Sequence, residues 1–305
     1  MEQSPWRFII KTLILLALFS FISAWLISLF IGDDMEGSGA NIGVIPVKGV
    51  IMADGGYGIF SEDVADSTEI TKLIRKAAKD RSIKGIILEI NSPGGSPVAS
   101  EEIANAVKEA NKTTVAWIRD VGASGGYWVA SASDHIVASR MSITGSIGVQ
   151  ASYLEFAGFL EDHNVTYQRF VGGDYKDLGT PLRKLEEDER IILQAKIDKM
   201  QDFFIEEIAQ NRKLPKSEVK KLATGIFYLG SEAKQLGLVD EIGGKKEAID
   251  YLKKELNISG AGIREYKVEK SLIDALGGLM SENFFQIGRG LGSSMQERER
   301  LEVYT

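Results

Sequence analysis

The chain has 305 residues, with 36 lysines and arginines against 43 aspartates and glutamates, and so a net charge of −7 at neutral pH. This acidic balance argues against a nucleic-acid partner, because attraction to a phosphate backbone needs a basic face. Cysteine is absent and the two histidines are His135 and His163, which excludes disulfides, a thiol nucleophile and a Cys/His zinc site. A carboxylate-only metal site stays open, but nothing in the sequence points to one, and we expect no metal and no cofactor.

The first pattern along the chain is an apolar segment, residues 12–31, which holds twenty residues without a charge. That is about the length at which a helix crosses the hydrocarbon core of a bilayer. Arg7 and Lys11 precede the segment and three acidic residues follow it, so the positive-inside rule predicts a cytoplasmic segment 1–11 and an extracytoplasmic remainder. A cleaved signal peptide is the alternative, but its apolar region is usually about 7 to 15 residues long. We therefore expect a single-pass anchor in the cell membrane.

A Gly-rich linker, residues 32–41, leads into a region in which strand-like and helix-like patterns alternate. The predicted strands are 42–52, 83–90, 113–118, 135–139 and an extended run at 144–153, and the predicted helices are 61–79, 97–112, 125–132 and 182–212. This alternation is typical of parallel β-α units, so residues 42–270 are expected to form one large α/β domain.

The C-terminal part of the chain holds two further features. The helix predicted over 182–212 has its apolar residues on one stripe, which we expect to face the protein body or a neighbouring subunit. Residues 271–305 are glycine-rich and then charged, and we expect a flexible tail. The apolar residues Leu279, Phe284 and Phe285 suggest the hypothesis that this tail enters the protein's own cleft or a neighbour's as a peptide-like segment.

Four glycine-rich segments follow predicted strands, at the position where open α/β sheets place their sites. They are NSPGGS (91–96), GASGGYW (122–128), ITGSIGV (143–149) and GGDYKDLG (172–179). Tandem glycines let the backbone turn with positive φ and bring bare N–H groups close to a ligand. This is how an oxyanion hole is formed, so these segments are the candidate site.

Ser124, in the second segment, is the candidate nucleophile. It precedes an apparent helix, where its hydroxyl and the Gly125 N–H would face a developing negative charge. The alternative is that Ser124 only caps that helix. Because neither histidine lies in a suitable setting, the candidate base is Lys176 in the fourth segment, with Ser146 placed to hold its amine by a hydrogen bond.

A lysine acts as a base only when it is neutral, although its ordinary pKa is about 10.4. Burial lowers a lysine pKa, whereas a neighbouring carboxylate raises it. The adjacent Asp177 would therefore oppose the role of Lys176 if its carboxylate faced the amine. We expect an extended segment here, in which neighbouring side chains point to opposite faces.

Four motifs, found in this order after one predicted membrane span, resemble those of the S49 family of serine proteases. The resemblance is to the short, single-domain form of signal peptide peptidase A. The motifs are LEINSPGGSP (88–97), DVGASGGYWVASASD (120–134), TGSIGVQ (144–150) and YKDLGTPLR (175–183). The resemblance covers most of residues 42–245. It implies a ClpP/crotonase-like fold of repeated β-β-α units and a Ser/Lys dyad.

Transferred motif by motif, the resemblance makes Ser124 the nucleophile, Lys176 the general base, Gly95 and Gly125 the oxyanion donors and Ser146 the support of the lysine. It implies an endopeptidase that degrades remnant signal peptides and other unfolded or hydrophobic peptides. It also implies a homo-oligomer in which one site takes its serine and lysine from neighbouring subunits. A crotonase-type acyl-CoA enzyme and a non-catalytic membrane scaffold are the alternatives.

Overall fold

The computed structural model describes residues 5–30, 39–53 and 64–267 of the chain. Most of the predicted linker 32–41 and the whole predicted tail 271–305 lie outside the described residues, as does the hypothesis that the tail enters a cleft. The predicted domain boundaries therefore stay predictions.

Strands and helices alternate along the described chain, as the sequence predicts. The helices described are α1 (Pro5–Phe30), α2 (Ser67–Lys79), α3 (Pro97–Glu109), α4 (Gly125–Ser131), α5 (Ala157–Asp162), α6 (Glu187–Arg212), α7 (Lys216–Leu222), α8 (Gly230–Gln235) and α9 (Lys245–Glu255). The strands described are β1 (Ile42–Lys48), β2 (Val50–Met52), β3 (Val64–Asp66), β4 (Gly85–Ser92), β5 (Thr113–Ala123), β6 (His135–Ala138), β7 (Ile143–Gly145), β8 (Phe227–Leu229), β9 (Glu241–Ile242) and β10 (Ile263–Glu265).

The core is a mixed α/β arrangement around a largely parallel sheet. Strands β10, β1, β4, β5, β6 and β9 lie side by side in that order, and every pairing between them is parallel. Helices α2 and α3 pack on one face of this sheet, and α9 packs on the other. Burial on both faces explains why the central strand β4 reads as a nearly continuous apolar run.

Two further strands of the same sheet lie off this row: β7 pairs in parallel with the carboxyl end of β5, and β8 pairs antiparallel with β7. The extended run predicted over 144–153 is wrong for most of its length, because β7 ends at Gly145 and residues 146–156 form no strand. We call residues 150–186 the arm. All of the arm is described, and none of its residues is buried.

The long helix predicted over 182–212 begins later, at Glu187. Its start is fixed by Glu189, whose carboxylate accepts the Glu186 N–H at 3.0 Å. The apolar stripe packs on the body only in the C-terminal half, because Phe204 is buried whereas Ile191 is 61% exposed. The N-terminal half of α6 therefore presents apolar side chains that the described part of the chain does not cover.

Helix α1 includes most of the predicted membrane anchor, and large apolar side chains on it, such as Leu15 at 70% and Phe21 at 73%, are exposed. Within the described part of the chain, no helix reaches the length and hydropathy of a membrane span. The anchor at 12–31 stays a prediction.

Candidate active site

Ser124 lies at the turn between β5 and α4, at the carboxyl edge of the parallel sheet. Its backbone has φ 52° and ψ −123°, a conformation with positive φ that non-glycine residues rarely adopt. The Ser124 N–H donates to the Gly145 carbonyl at 2.8 Å, and its carbonyl accepts the Trp128 N–H at 2.9 Å. Such strain persists only where the surrounding structure imposes it, and it is concentrated at functional sites.

The side chain of Ser124 makes no capping hydrogen bond, although the residue stands at the N-cap of α4. By contrast, Ser96 at the start of α3 does cap its helix, since its Oγ accepts the Ala99 N–H at 3.4 Å. The capping role that the sequence left open for Ser124 is therefore excluded. Its hydroxyl is left for another partner.

Gly94 and Gly95 bring a second loop against the Ser124 turn. A Cβ on Gly94 would lie 2.7 Å from the Gly125 nitrogen, and a Cβ on Gly125 would lie 3.3 Å from the Gly95 nitrogen. Gly94 also has a φ of 100°, which favours glycine. This close approach places the two amides that the sequence nominated side by side, next to Ser124.

Neither of these amides is used by the fold. Within residues 39–53 and 64–267, the Gly95 N–H and the Gly125 N–H have no hydrogen-bond acceptor, whereas the neighbouring Ser96 N–H donates to the Ile51 carbonyl at 2.8 Å. Two adjacent unpaired amides beside a serine hydroxyl have the arrangement that an oxyanion hole requires.

Ser146 follows β7 and also has a positive φ, 49°. Its N–H donates to Ile226 at 3.0 Å and its Oγ donates to the Gly225 carbonyl at 3.1 Å. Because a hydroxyl oxygen keeps two lone pairs when it donates, Ser146 can still accept a hydrogen bond from an amine.

Ser124, Gly95, Gly125 and Ser146 line one cleft of about 730 Å³. The opposite wall is one face of α6. It contributes side chains at helical spacing: Gln194, Ile197, Asp198, Gln201 and Phe204. Phe204 stacks on Trp128 with ring centroids 4.8 Å apart. Among the described residues that line the cleft, Asp198 alone is charged, so the cleft suits a mostly uncharged peptide segment.

The α6 wall is the part of the site that sequence reasoning missed. Its residues recur at intervals of three and four, which is the spacing of one helix face. That signal was present in the sequence, but the expectation that this stripe packs on the body or on a subunit did not distinguish a cleft wall from a buried face.

Lys176 is the sequence-predicted residue that the structure does not bring to this cleft. It lies in the arm and is exposed, and no other described residue forms a hydrogen bond or ion pair with its amine. The expected extended segment is wrong here: Lys176 donates its N–H to Gly173 at 3.1 Å and Leu178 donates to Tyr175 at 3.2 Å, so the segment is a succession of tight turns.

The carboxylate of Asp177 faces two arginines. Arg169 donates to it through Nε and Nη2, both at 2.8 Å, and Arg183 donates at 3.1 and 3.2 Å. The hydrogen bonds from Arg169 and then from Arg183 hold the pKa of Asp177 well below its ordinary value. Arg183 also binds Glu189, and its side-chain hydrogen bonds, followed by the Glu186 N–H, lower the pKa of Glu189 to about 2.

Neither histidine lies at the cleft. His135 stacks on Tyr251 with centroids 3.8 Å apart and contacts Glu241 at 3.2 Å, whereas His163 contacts the Phe159 carbonyl at 2.8 Å. Both contacts are structural, so a base for Ser124 has to come from elsewhere.

Comparison with known proteins places these residues in a family context. Residues 106–259 match the model of peptidase family S49, a range that includes Ser124, Ser146 and Lys176. The chain is 35% identical over 248 residues to a provisionally named protease of Methanocaldococcus jannaschii, covering 81% of this chain and 79% of that one. It is 36% identical to a provisionally named signal peptide peptidase SppA of Enterococcus faecium, covering 73% and 66%.

Longer relatives match over part of their length. The chain is 36% identical to Protease 4 of Haemophilus influenzae over 75% of this chain but spans only 37% of that protein. Among solved structures, a mutant of the 1510-N membrane-bound stomatin-specific protease aligns with a TM-score of 0.49 and 14% identity, over 76% of this chain and all of that one. The sequence matches, rather than this weak structural likeness, define the family.

Proposed function

The chain belongs to peptidase family S49 and is a serine peptidase, and we propose that it is a membrane-anchored endopeptidase with Ser124 as nucleophile and Lys176 as general base. The observation that carries the assignment of Ser124 is its strained backbone, with a side-chain hydroxyl that makes no capping hydrogen bond, beside the two unpaired amides of Gly95 and Gly125. With no cysteine in the chain and no histidine at the cleft, a lysine is the remaining base that the motif supports.

In this mechanism the Ser124 Oγ attacks the carbonyl carbon of the scissile peptide while the neutral Lys176 amine takes the hydroxyl proton. The carbonyl oxygen becomes negatively charged and is stabilised by the Gly95 and Gly125 N–H groups. As the C–N bond breaks, the Lys176 ammonium gives its proton to the leaving amine, which leaves an acyl ester on Ser124. Water then attacks that ester with Lys176 again as base, releasing a carboxylic acid and restoring the serine.

A second copy of the chain supplies the lysine in our proposal. Two features support it: Lys176 does not line the cleft of its own chain, and the arm that carries it exposes large apolar side chains. Leu154 is 74%, Phe159 60% and Phe170 90% exposed. Apolar surface of this extent is typical of a protein interface. A homo-oligomer in which the arm docks on a neighbour would cover these side chains and complete each site.

The substrates we propose are remnant signal peptides and other unfolded or hydrophobic peptides. Support comes from the mostly uncharged cleft, from the similarity to a relative named signal peptide peptidase, and from the uncharged segment 12–31, which would hold the enzyme at the bilayer. In this account the N-terminus is cytoplasmic, residues 42–270 form an extracytoplasmic domain with a ClpP/crotonase-like fold, and no cofactor is required.

The test is to measure hydrolysis of an apolar peptide, and labelling by a serine-directed phosphonylating probe, in Ser124→Ala and Lys176→Ala. We expect each substitution to lower kcat by about 10⁶, the cost of removing a serine nucleophile or its base in a serine peptidase. Labelling should require Ser124, which separates a peptidase from a crotonase-type enzyme or an inert scaffold.

Ser217→Ala and Lys234→Ala are the matched controls, because both residues are exposed, lie outside the arm and do not line the cleft. They should keep normal activity and labelling. Near-full turnover in a correctly assembled Lys176→Ala enzyme would contradict the dyad.

A further inference from the structure

The turn that carries Lys176 is fastened on both sides of the lysine. Before it, the Asp174 carbonyl accepts a hydrogen bond from Arg169 Nη2 at 2.6 Å, and the Tyr175 hydroxyl donates to Asp188 at 3.0 Å. After it, Asp177 is held by Arg169 and Arg183. Between these fixed residues, the Lys176 side chain has no partner anywhere in the described chain.

The two arginines satisfy the Asp177 carboxylate. Arg169 binds both of its oxygens in a fork at 2.8 Å, and Arg183 donates one N–H to each oxygen from another direction. Charge-assisted bidentate hydrogen bonds of this type are among the strongest that side chains make. The Asp177 side chain is only 11% exposed although the surrounding arm is open, so the arginines also shield it from solvent.

The contacts continue into the helix that forms the cleft wall. Arg183 reaches from Asp177 to Glu189, whose side chain is 3% exposed in the first turn of α6. The four side chains Arg169, Asp177, Arg183 and Glu189 carry two positive and two negative charges, so the cluster is neutral. The cluster itself therefore offers the neighbouring lysine no unsatisfied carboxylate that would favour its ammonium form.

We propose that Asp177 is a positioning residue for Lys176: Arg169 and Arg183 hold its carboxylate away from the lysine amine, so that the amine enters the active site unpaired with Asp177. This inference rests on the proposed role of Lys176 as base. We call the hydrogen bonds from Arg169 and Arg183 to the Asp177 carboxylate the clamp. Asp177 anchors the turn, and the clamp removes the effect of its charge on the neighbouring lysine.

The experiment compares the pH profile of kcat/KM for peptide hydrolysis in wild type, Arg169→Gln, and Arg169→Gln combined with Asp177→Asn. Releasing one side of the clamp leaves Asp177 able to stabilise the Lys176 ammonium, and an opposite charge at close range shifts a pKa by about 1 to 3 units. We therefore expect the acid limb of the Arg169→Gln profile to move about one pH unit to higher pH. Adding Asp177→Asn should move it back.

A purely structural role would lower activity at every pH and would not be rescued by a second substitution in the same cluster. Arg190→Gln is the matched control. Arg190 is an exposed arginine near the start of α6, 3.5 Å from Glu187, and it is not bound to Asp177. Its profile should match wild type. Should Arg169→Gln fail to fold, Arg169→Lys keeps the charge but loses the fork, and a smaller alkaline displacement is expected.

The outcomes separate the two proposals. An inactive Lys176→Ala with an unmoved Arg169→Gln profile would overturn the positioning role of Asp177 and leave the dyad standing. An active Lys176→Ala would overturn both.

Discussion

The two halves of the proposed site are built in different ways. Ser124 lies at the edge of a parallel sheet, where its N–H is bonded to Gly145 and its neighbours Ala123 and Gly125 are buried. Lys176 lies in the arm, where no residue is buried and α5 contributes nothing to the core. The proposed nucleophile is therefore positioned by the hydrophobic core of its own chain. The proposed base is positioned by a polar cluster on a segment that lacks a core, which explains why it would need a neighbouring subunit.

Among the substitutions that test this comparison, Gly95→Ala is expected to have the largest effect, on kcat. A Cβ there would lie 2.1 Å from the Ile51 carbonyl, and the Gly95 φ of 157° is itself unfavourable for alanine. The loop has to move, which displaces one oxyanion donor, and we expect kcat to fall by about 10² to 10³. Steady-state kinetics on an apolar peptide measure this.

Gly158→Ala is the control on the arm side, since a Cβ at Gly158 meets nothing within 4 Å. It should keep kcat. A Gly95→Ala enzyme with normal kcat would show that this amide does not stabilise the oxyanion.

The next largest effect is expected on stability, when one phenylalanine of the core and one of the arm are each replaced by alanine. Phe204 is 2% exposed and stacks on Trp128, so Phe204→Ala should lower the free energy of unfolding by about 3 to 5 kcal/mol. Phe170 is 90% exposed, so Phe170→Ala should change the stability of the isolated subunit by no more than about 0.5 kcal/mol.

Phe170→Ala should instead weaken the association of subunits, which analytical ultracentrifugation measures. Urea unfolding of both variants measures the change in stability. Unchanged association with Phe170→Ala would argue that this part of the arm does not contact a neighbour.

The smallest expected effect is on the pH dependence of stability. Arg183 lowers the pKa of Glu189 from an ordinary 4.5 to about 2. A carboxyl with a depressed folded-state pKa stabilises the protein above its ordinary pKa, and this contribution is lost as the pH falls through the folded value. Wild type should therefore lose Tm between pH 4.5 and 2, and Glu189→Gln should lose less over the same range. Parallel Tm curves for the two proteins would contradict the assignment.

The sequence predicted which residues of the serine half meet in one cleft, because each of them follows a strand within a local glycine pattern. Gly95, Ser124, Gly125 and Ser146 are far apart in the chain, but parallel strands bring their carboxyl ends to one edge, so strand order alone makes them neighbours. The same reasoning predicted the central parallel sheet, because strands buried on both faces leave a clear apolar signal.

The arm and α6 were not predicted as well, and the reason is physical. Ile147 is buried, but the apolar side chains of residues 151–156 are exposed and form no buried face, so an apolar run was mistaken for a strand. Lys176 lies in turns that side-chain hydrogen bonds from Arg169 and Arg183 stabilise, and such contacts between residues six to eight positions apart leave no periodic pattern. Where a chain is completed by polar contacts or by another subunit, its own hydrophobic pattern says little about its conformation.

The most direct test of a site shared between two subunits is to co-express Ser124→Ala and Lys176→Ala, each with its own tag, and to assay the isolated mixed oligomer. Each variant alone should be inactive. If every site takes Ser124 from one subunit and Lys176 from its neighbour in a closed ring, random mixing of equal amounts completes about a quarter of the sites, and about a quarter of wild-type activity should return. Mixed oligomers with no recovered activity would contradict the account.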